Sequence, residues 1–251
     1  MQYELILLFI IFMFGIVIGS FLNVCIFRIP KGENIATTGS HCMSCGHRLR
    51  WYDLIPLLSW LMLRGRCRYC HSRISVQYPL VETINGFGYV LIFMLNGYSL
   101  DSLILCLFTS CILVLSVIDW QTYEIPFGIN VMIFVLGLLR TAMEFDNLIE
   151  HLVGCVCVSG FLLILNLATK GRAMGGGDVK LMAAAGLLLG AKQIVLGFFL
   201  GCIIGSVVHL ILMKMQKKGK VLAFGPYLSA GMFVSMLFGD MFVNWYFGMF
   251  I

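Results

Sequence analysis

Asp119 and Asp178 have the contexts best suited to chemistry. Asp119 closes an apolar run in Val117-Ile118-Asp119-Trp120, and Pro126 in Glu124-Ile125-Pro126 opens the next helix, a position that suits proline. Asp178 stands in Gly175-Gly176-Gly177-Asp178-Val179-Lys180, directly before another apolar run. Glycines open backbone conformations closed to other residues and let a ligand chain approach closely, so Gly175, Gly176 and Gly177 mark a candidate substrate path. Two carboxylates that share a site have their protonation steps driven apart. One stays charged and takes a proton from water; the other stays protonated and polarises a scissile carbonyl. The plainer alternative is two separate interfacial acids, one of them capping a helix.

Cys42-Met-Ser-Cys45 and Cys67-Arg-Tyr-Cys70 form a second pattern, two CxxC pairs with 21 residues between them. A CxxC turn presents two thiolates to one tetrahedral ion, and two such turns complete a closed four-thiolate zinc site. Four unligated thiols are the alternative. His41, His47 and His71 lie beside the pairs, which leaves a mixed Cys/His site open. Arg48, Arg64, Arg66, Arg68 and Arg73 would offset the charge of such a centre or face acidic lipid, or they reflect membrane topology alone. The remaining cysteines lie in apolar runs and read as small hydrophobes.

Four acids fall inside or at the ends of apolar runs: Glu82, Asp119, Asp178 and Asp240. Intramembrane ionisable groups are expensive, so each is a functional hypothesis. Glu82 falls in the first turn of its run, where the helix dipole favours an acid, so its reading is structural, with a catalytic or methyl-transfer role as the lesser one. Asp240 reads as solvated. His209 and Asn166 read as interhelical hydrogen-bonding groups, and Gly15/Gly19, Gly186/Gly190 and Gly197/Gly201/Gly205 as close helix contacts.

The elements that position these residues follow from composition. Of 251 residues, 60% are apolar and 12% charged, against about 45–50% and about 25% for a soluble domain. That excludes an ordinary cytosolic enzyme, a disordered tail and a nucleic-acid-binding domain. It also sets aside a secreted disulfide scaffold, which would be small and polar. The fold class is an all-α membrane protein of about eight transmembrane helices with a small cytoplasmic zinc-binding insert. Apolar runs cover 5–27, 79–97, 102–118, 126–141, 148–168, 179–191, 193–213 and 222–239, and the apolar tail from Met241 reads as interfacial. No basic n-region or small-residue cleavage site frames the first run, so it reads as a retained anchor. The expected organisation is a first helix over 1–27, a four-cysteine insert over 28–78 and a seven-helix membrane domain over 79–251.

Charge placement orients the chain, because cytoplasmic loops are enriched in Lys and Arg. With the N-terminus outside, segments 28–78, 119–125, 169–180 and 214–223 face inward and hold 15 of the 17 basic residues. The net charge of +5 is therefore topological and points to no nucleic acid. Both aspartates then lie on the cytoplasmic side. The runs after them are short: 179–191 spans about 20 Å against a hydrocarbon core of about 30 Å. Both are expected to start below the membrane surface, leaving the aspartates in a wet recess.

The chain resembles the type IV prepilin leader peptidases, from about Gly15 to Gly231. The matching stretches are Gly19-Ser20-Phe21-Leu22-Asn23-Val24-Cys25, the CxxC pairs around Trp51 to Ser59, Tyr78-Pro79-Leu80-Val81-Glu82, Ile118-Asp119 through Ile125-Pro126, Gly175 to Leu181, and Phe224-Gly225-Pro226. The resemblance implies a GxGD-type aspartic peptidase with Asp119 and Asp178 as its pair. It would cut the basic leader of prepilins or pseudopilins at the cytoplasmic face of the bacterial inner membrane. Many members then methylate the new N-terminal amine with S-adenosylmethionine, and the cysteine insert is linked to zinc. Phe127 departs from the pattern, standing where an acid or amide is common. Three readings compete with the bifunctional enzyme: a peptidase without methyl transfer, a proton-coupled transporter using the two aspartates as a relay, and a membrane scaffold recruited through the insert. No GxGxG-type cofactor fingerprint is present. A transporter would favour inverted repeats and charges near the midplane, and a scaffold leaves the glycine-aspartate turn without a purpose.

Overall fold

A chain surrounded by hydrocarbon must satisfy its backbone internally, and long apolar runs do so as helices. The computed structural model describes residues 2–36, 39–171, 174–216 and 223–249, and among these it contains helices, turns and two isolated β-bridges. Arg172 and three of the basic residues expected in the last inner loop, Lys217, Lys218 and Lys220, lie outside the described residues. The helices are α1 (Gln2–Arg28), a five-residue α2 (Leu58–Met62), α3 (Gln77–Asn96), α4 (Leu100–Thr122), α5 (Phe127–Met143), α6 (Leu148–Ala168), α7 (Gly176–Leu189), α8 (Ala191–Gln216) and α9 (Gly225–Gly248). The eight apolar runs thus correspond to α1 and α3–α9.

Six of these, α1, α3, α4, α6, α8 and α9, are long and apolar enough to cross a membrane. The 17 residues of α5 and the 14 of α7 give about 26 Å and about 21 Å, short of the full hydrocarbon core. The apolar tail from Met241 is helical as far as Gly248 and continuous with the last span. The helix continues nine residues past the anticipated end at 239, because nothing in Asp240-Met-Phe-Val-Asn-Trp stops a helix.

The chain forms two compact units, Met1–Ser110 and Cys111–Ile251. In the first, α1 packs antiparallel on α3 through missing side chains. A Cβ on Gly15 would stand 2.8 Å from Gly86 Cα, and one on Gly19 would stand 2.7 Å from Glu82 Cα. Small residues permit this approach where helices associate in lipid. Buried Asn85 Nδ2 donates to the Gly15 carbonyl at 2.8 Å, and Ser110 Oγ donates to Asn85 Oδ1 at 2.9 Å. In the second unit, Gly197, Gly201 and Gly205 of α8 face Met232, Leu228 and Tyr227 of α9. Gly186 of α7 meets Gly154 of α6. Gly190 belongs to the same seam, since a Cβ on Gly154 would stand 2.7 Å from its carbonyl carbon; it also ends α7 with φ +83°, a left-handed conformation that glycine adopts at low cost.

Candidate active site and metal centre

Asp119 lies inside α4 rather than after it. The helix runs one more turn to Thr122 and stops at Tyr123, whose φ of +58° lets its N–H donate to the Asp119 carbonyl at 2.8 Å, a left-handed cap. Pro126 then serves as the N-cap of α5, one position before the expected one. The Asp119 side chain is buried, and its Oδ2 accepts the N–H of Gly225 at 2.8 Å, 106 residues away in sequence. A Cβ on Gly225 would stand 2.7 Å from that same oxygen. Gly225 is therefore part of the site, and the spacing argument missed it. Its signal was the Gly225-Pro226 pair at the head of an apolar run, a helix-start pattern with no link in sequence to Asp119.

Asp178 is the third residue of α7, whose N-cap is Gly175. Its carboxylate is buried, accepts the Gly175 backbone N–H and lies within electrostatic reach of Asp119. The turn before it is tied down by Asn166 Nδ2, which donates to the Met174 carbonyl at 2.6 Å; this bond is to a loop, not between helices. The three glycines have ordinary backbone angles here. Positive φ occurs at none of Gly175, Gly176 and Gly177, unlike Gly171 and Gly190 on either side, so their contribution is space. A Cβ at Gly177 would sit 3.0 Å from Ile125 Cβ, and one at Gly175 would sit 3.4 Å from Asp178 Oδ2. At Gly176 nothing lies within 4 Å. Phe127 has a physical role in this packing: Lys180 Nζ stands 5.5 Å from its ring centroid, a cation–π distance.

The other end of α7 is held by donors from its neighbours. Arg140 Nη1 donates to the Leu188 carbonyl at 2.9 Å and His151 Nδ1 to the Leu187 carbonyl at 2.9 Å. Both answer carbonyls that a helix C-terminus leaves free. Glu144 lies 3.4 Å from Arg140 and 3.5 Å from His151. With nine of its 14 residues buried, α7 is a core helix whose axial position is fixed at both ends.

In the first unit each CxxC pair folds as the same small turn. Cys42 N–H donates to the His47 carbonyl and Gly46 N–H to the Cys42 carbonyl, both at 2.9 Å; Cys67 N–H donates to Ser72 at 2.9 Å and His71 N–H to Cys67 at 3.0 Å. Antiparallel bridges His41–Arg48 and Arg66–Arg73 close the two turns. Gly46 and His71 hold equivalent positive-φ corners. The four sulfurs lie within 4.8 Å of one another, with Cys42 Sγ and Cys70 Sγ 3.8 Å apart. A tetrahedron with metal–sulfur bonds of about 2.3 Å has edges of about 3.8 Å, so the donor set fits one soft divalent ion. The histidines stand outside this cluster: His47 stacks on Tyr69 with centroids 3.7 Å apart. Arg68 is engaged with Asp53 at 2.7 Å. Desolvation opposes ionisation of Cys42, but the backbone N–H groups of Cys45 and Ser44 and the Ser72 hydroxyl outweigh it and bring the thiol down to about 6. Cys70 is lowered too, by the Ser72 side chain and backbone. Cys45 receives a favourable backbone hydrogen bond from His47, yet desolvation and the thiols of Cys70 and Cys42 push it up to about 11. Metal ligation takes these thiols as thiolates, so binding an ion releases the protons they still carry.

Glu82 is the sixth residue of α3 rather than part of its first turn. Its carboxylate bonds the N–H of Leu57 at 2.8 Å and the Ser20 hydroxyl. It therefore ties the insert to both helices, and no helix-end dipole is involved.

Two family models match the chain. The bacterial peptidase A24 N-terminal domain covers residues 13–96, and the type IV leader peptidase family covers 106–210. Among curated relatives, a prepilin leader peptidase/N-methyltransferase of Aeromonas hydrophila is 32% identical over 94% of this chain and 92% of its own. One of Bacillus subtilis (strain 168) is 32% identical over 96% and 98%, and one of Pectobacterium carotovorum subsp. carotovorum is 35% identical over 86% and 88%. No solved structure gives a significant match.

Proposed function

The chain belongs to the type IV leader peptidase family of prepilin leader peptidase/N-methyltransferases, and on that premise we propose that Asp119 and Asp178 are the carboxylate pair that hydrolyses a prepilin or pseudopilin leader. The single observation that supports this pair is that each buried aspartate is held by the N–H of a glycine, with Asp178 in electrostatic reach of Asp119. One carboxylate takes a proton from water as its oxygen attacks the scissile carbonyl. The other gives its proton to the carbonyl oxygen; the first then passes the proton it took from water to the leaving nitrogen, the C–N bond breaks, and the second recovers its proton from the diol hydroxyl as the new carboxyl group forms. Gly225 N–H holds the Asp119 oxygen in place, and the open face at Gly176 gives an extended peptide room to approach.

The new N-terminal amine is then methylated. S-adenosylmethionine supplies an electrophilic methyl group when bound; we assign none of this chain's residues to it. Cys42, Cys45, Cys67 and Cys70 hold a structural zinc ion that fixes the two turns of the insert relative to each other. The chain lies in the bacterial inner membrane with both termini outside and the aspartates toward the cytoplasm. The concentration of 15 of 17 basic residues on one side supports that orientation, and it brings no nucleic-acid partner.

Co-expression with a prepilin tests the reading. Cleavage gives a mobility shift that Asp119→Asn and Asp178→Asn remove, and mass spectrometry of the mature product reads methylation. An intact leader beside the unaltered protein overturns the peptidase assignment; a cleaved, unmethylated product leaves a peptidase alone. A proton-coupled transporter would show neither.

A further inference from the structure

The insert contains a segment too apolar for the water it is expected to face. From Leu54 to Leu63 the sequence reads Leu-Ile-Pro-Leu-Leu-Ser-Trp-Leu-Met-Leu. Its hydrophobes point outward: Leu61 is 61% exposed, Met62 82%, and nearby Trp51 77%. Leu58 and Ile55 are exposed as well. Cytosol-facing loops do not carry an apolar patch of this kind without an occupant.

Three observations identify that occupant. The first is depth. Leu57 N–H donates to Glu82 at 2.8 Å, and Glu82 lies five residues into α3, about 7 Å along the helix from Gln77. The 20 residues of α3 make about 30 Å, the thickness of the hydrocarbon core. The segment bonded to Glu82 therefore lies level with the second turn of a membrane span, not above it. The second is backbone accounting. Ser59 N–H donates to Ile55 at 3.1 Å, Leu61 to Leu57 at 2.9 Å and Gly65 to Trp60 at 2.9 Å. Trp60 Nε1 reaches the Ile74 carbonyl at 3.3 Å. A segment with its donors paired internally is one that tolerates the loss of water. The third is charge: no acid occurs from Leu54 to Val76, Asp53 at the head of the segment is ion-paired with Arg68, and Arg64, Arg66 and Arg73 are exposed there.

We propose that residues 51–62 form a lipid-seated ridge that rests the cysteine insert in the headgroup–acyl boundary of an anionic leaflet. Leu58, Leu61 and Met62 enter the acyl region, Trp51 sits at the headgroup level as interfacial tryptophans do, and the arginines behind the ridge meet anionic headgroups. Short amphipathic helices lie in the interface in this way. The proposal rests on the membrane setting and not on the peptidase reading.

The test uses the full chain in nanodiscs of phosphatidylglycerol and phosphatidylcholine doped with a lipid that carries a photoreactive acyl chain. After irradiation, adducts are mapped by peptide mass spectrometry, with α1 as the internal standard. Adducts on 54–62, well above those on 42–46, are the expected result. Adducts on α1 with none on 54–62 would leave the ridge to a protein partner and overturn the proposal. Leu58→Gln, Leu61→Gln and Met62→Gln together should cut adducts on 51–62 about tenfold with α1 unchanged; an undiminished yield overturns the proposal. Replacing all anionic lipid by phosphatidylcholine should lower the yield severalfold, and an equal yield overturns the role of the arginines.

Discussion

The N–H of Gly225 donates to Asp119 Oδ2 at 2.8 Å, and a Cβ on Gly225 would stand 2.7 Å from that oxygen. The glycine is thus both donor and spacer. Gly225→Ala keeps the donor and removes the space, so the carboxylate must move. A displacement of about 1 Å near reacting groups costs about a hundredfold in rate. Cleavage by Gly225→Ala should fall by about that factor while the protein still inserts and purifies as a folded species. Near wild-type cleavage would show that the Asp119 carboxylate does not need this position.

Asp119→Asn and Asp178→Asn should each abolish leader cleavage. The amide cannot exchange protons as the reaction requires, and the isosteric change leaves packing alone. Groups that act as one unit are not additive, so the double variant should be no worse than either single one. Initial rates against a prepilin check this; an active Asp119→Asn protein would sink the pair.

These two predictions differ in how far they were legible from sequence. Asp119 and Asp178 were visible because each adjoins an apolar run, a long one before Asp119 and a short one after Asp178, and hydropathy alone reports where such runs end. Gly225 stood out only within Phe224-Gly225-Pro226, and its bond to Asp119 was not visible, because a backbone donor 106 residues distant leaves no local pattern. Helix ends were misplaced by small amounts for local reasons: Asp119-Trp120-Gln121-Thr122 continues the helix until Tyr123 adopts a left-handed cap, and the tail after Met241 contains no breaker. The apolar segment 54–63 was absorbed into a polar stretch because its ten residues are too few to span. Only the Glu82–Leu57 bond shows where it lies.

Freshly purified protein should carry about one zinc ion per chain, and Cys42→Ser or Cys67→Ser should lose it. Structural zinc contributes folding free energy to its own module. The helices of both units pack without it, so metal loss should loosen residues 39–75 and leave helix content nearly unchanged. Metal analysis with circular dichroism on the same sample reads both quantities. A protein free of zinc as isolated would remove the assignment.

Arg140 and His151 hold the end of α7 opposite Asp178. Arg140→Met removes a charged donor from the Leu188 carbonyl, a loss of about 2 kcal/mol in stability, and Gln should restore part of it. Because α7 carries Asp178 at its other end, cleavage should fall without vanishing. Thermal unfolding and initial rates on Arg140→Met and Arg140→Gln check this. Unchanged stability in both would show that the hydrogen bond contributes nothing.

Gly176 separates two roles for the glycine turn. Its backbone is helical with ordinary angles, and a Cβ there would meet nothing within 4 Å. A side chain at 176 therefore costs the fold little, unlike one at Gly177, which would press on Ile125 at 3.0 Å. If an extended leader lies along this open face, bulk at 176 occupies its path. Gly176→Leu should then remain folded and raise KM or abolish cleavage with Asp178 intact, whereas Gly176→Ala should cleave nearly normally. Were the glycines needed only to shape the turn, the leucine variant would cleave as well as the alanine one, since both are compatible with the first turn of a helix. A folding control by thermal unfolding accompanies the rates, and a stable Gly176→Leu protein with full activity would refute the peptide path.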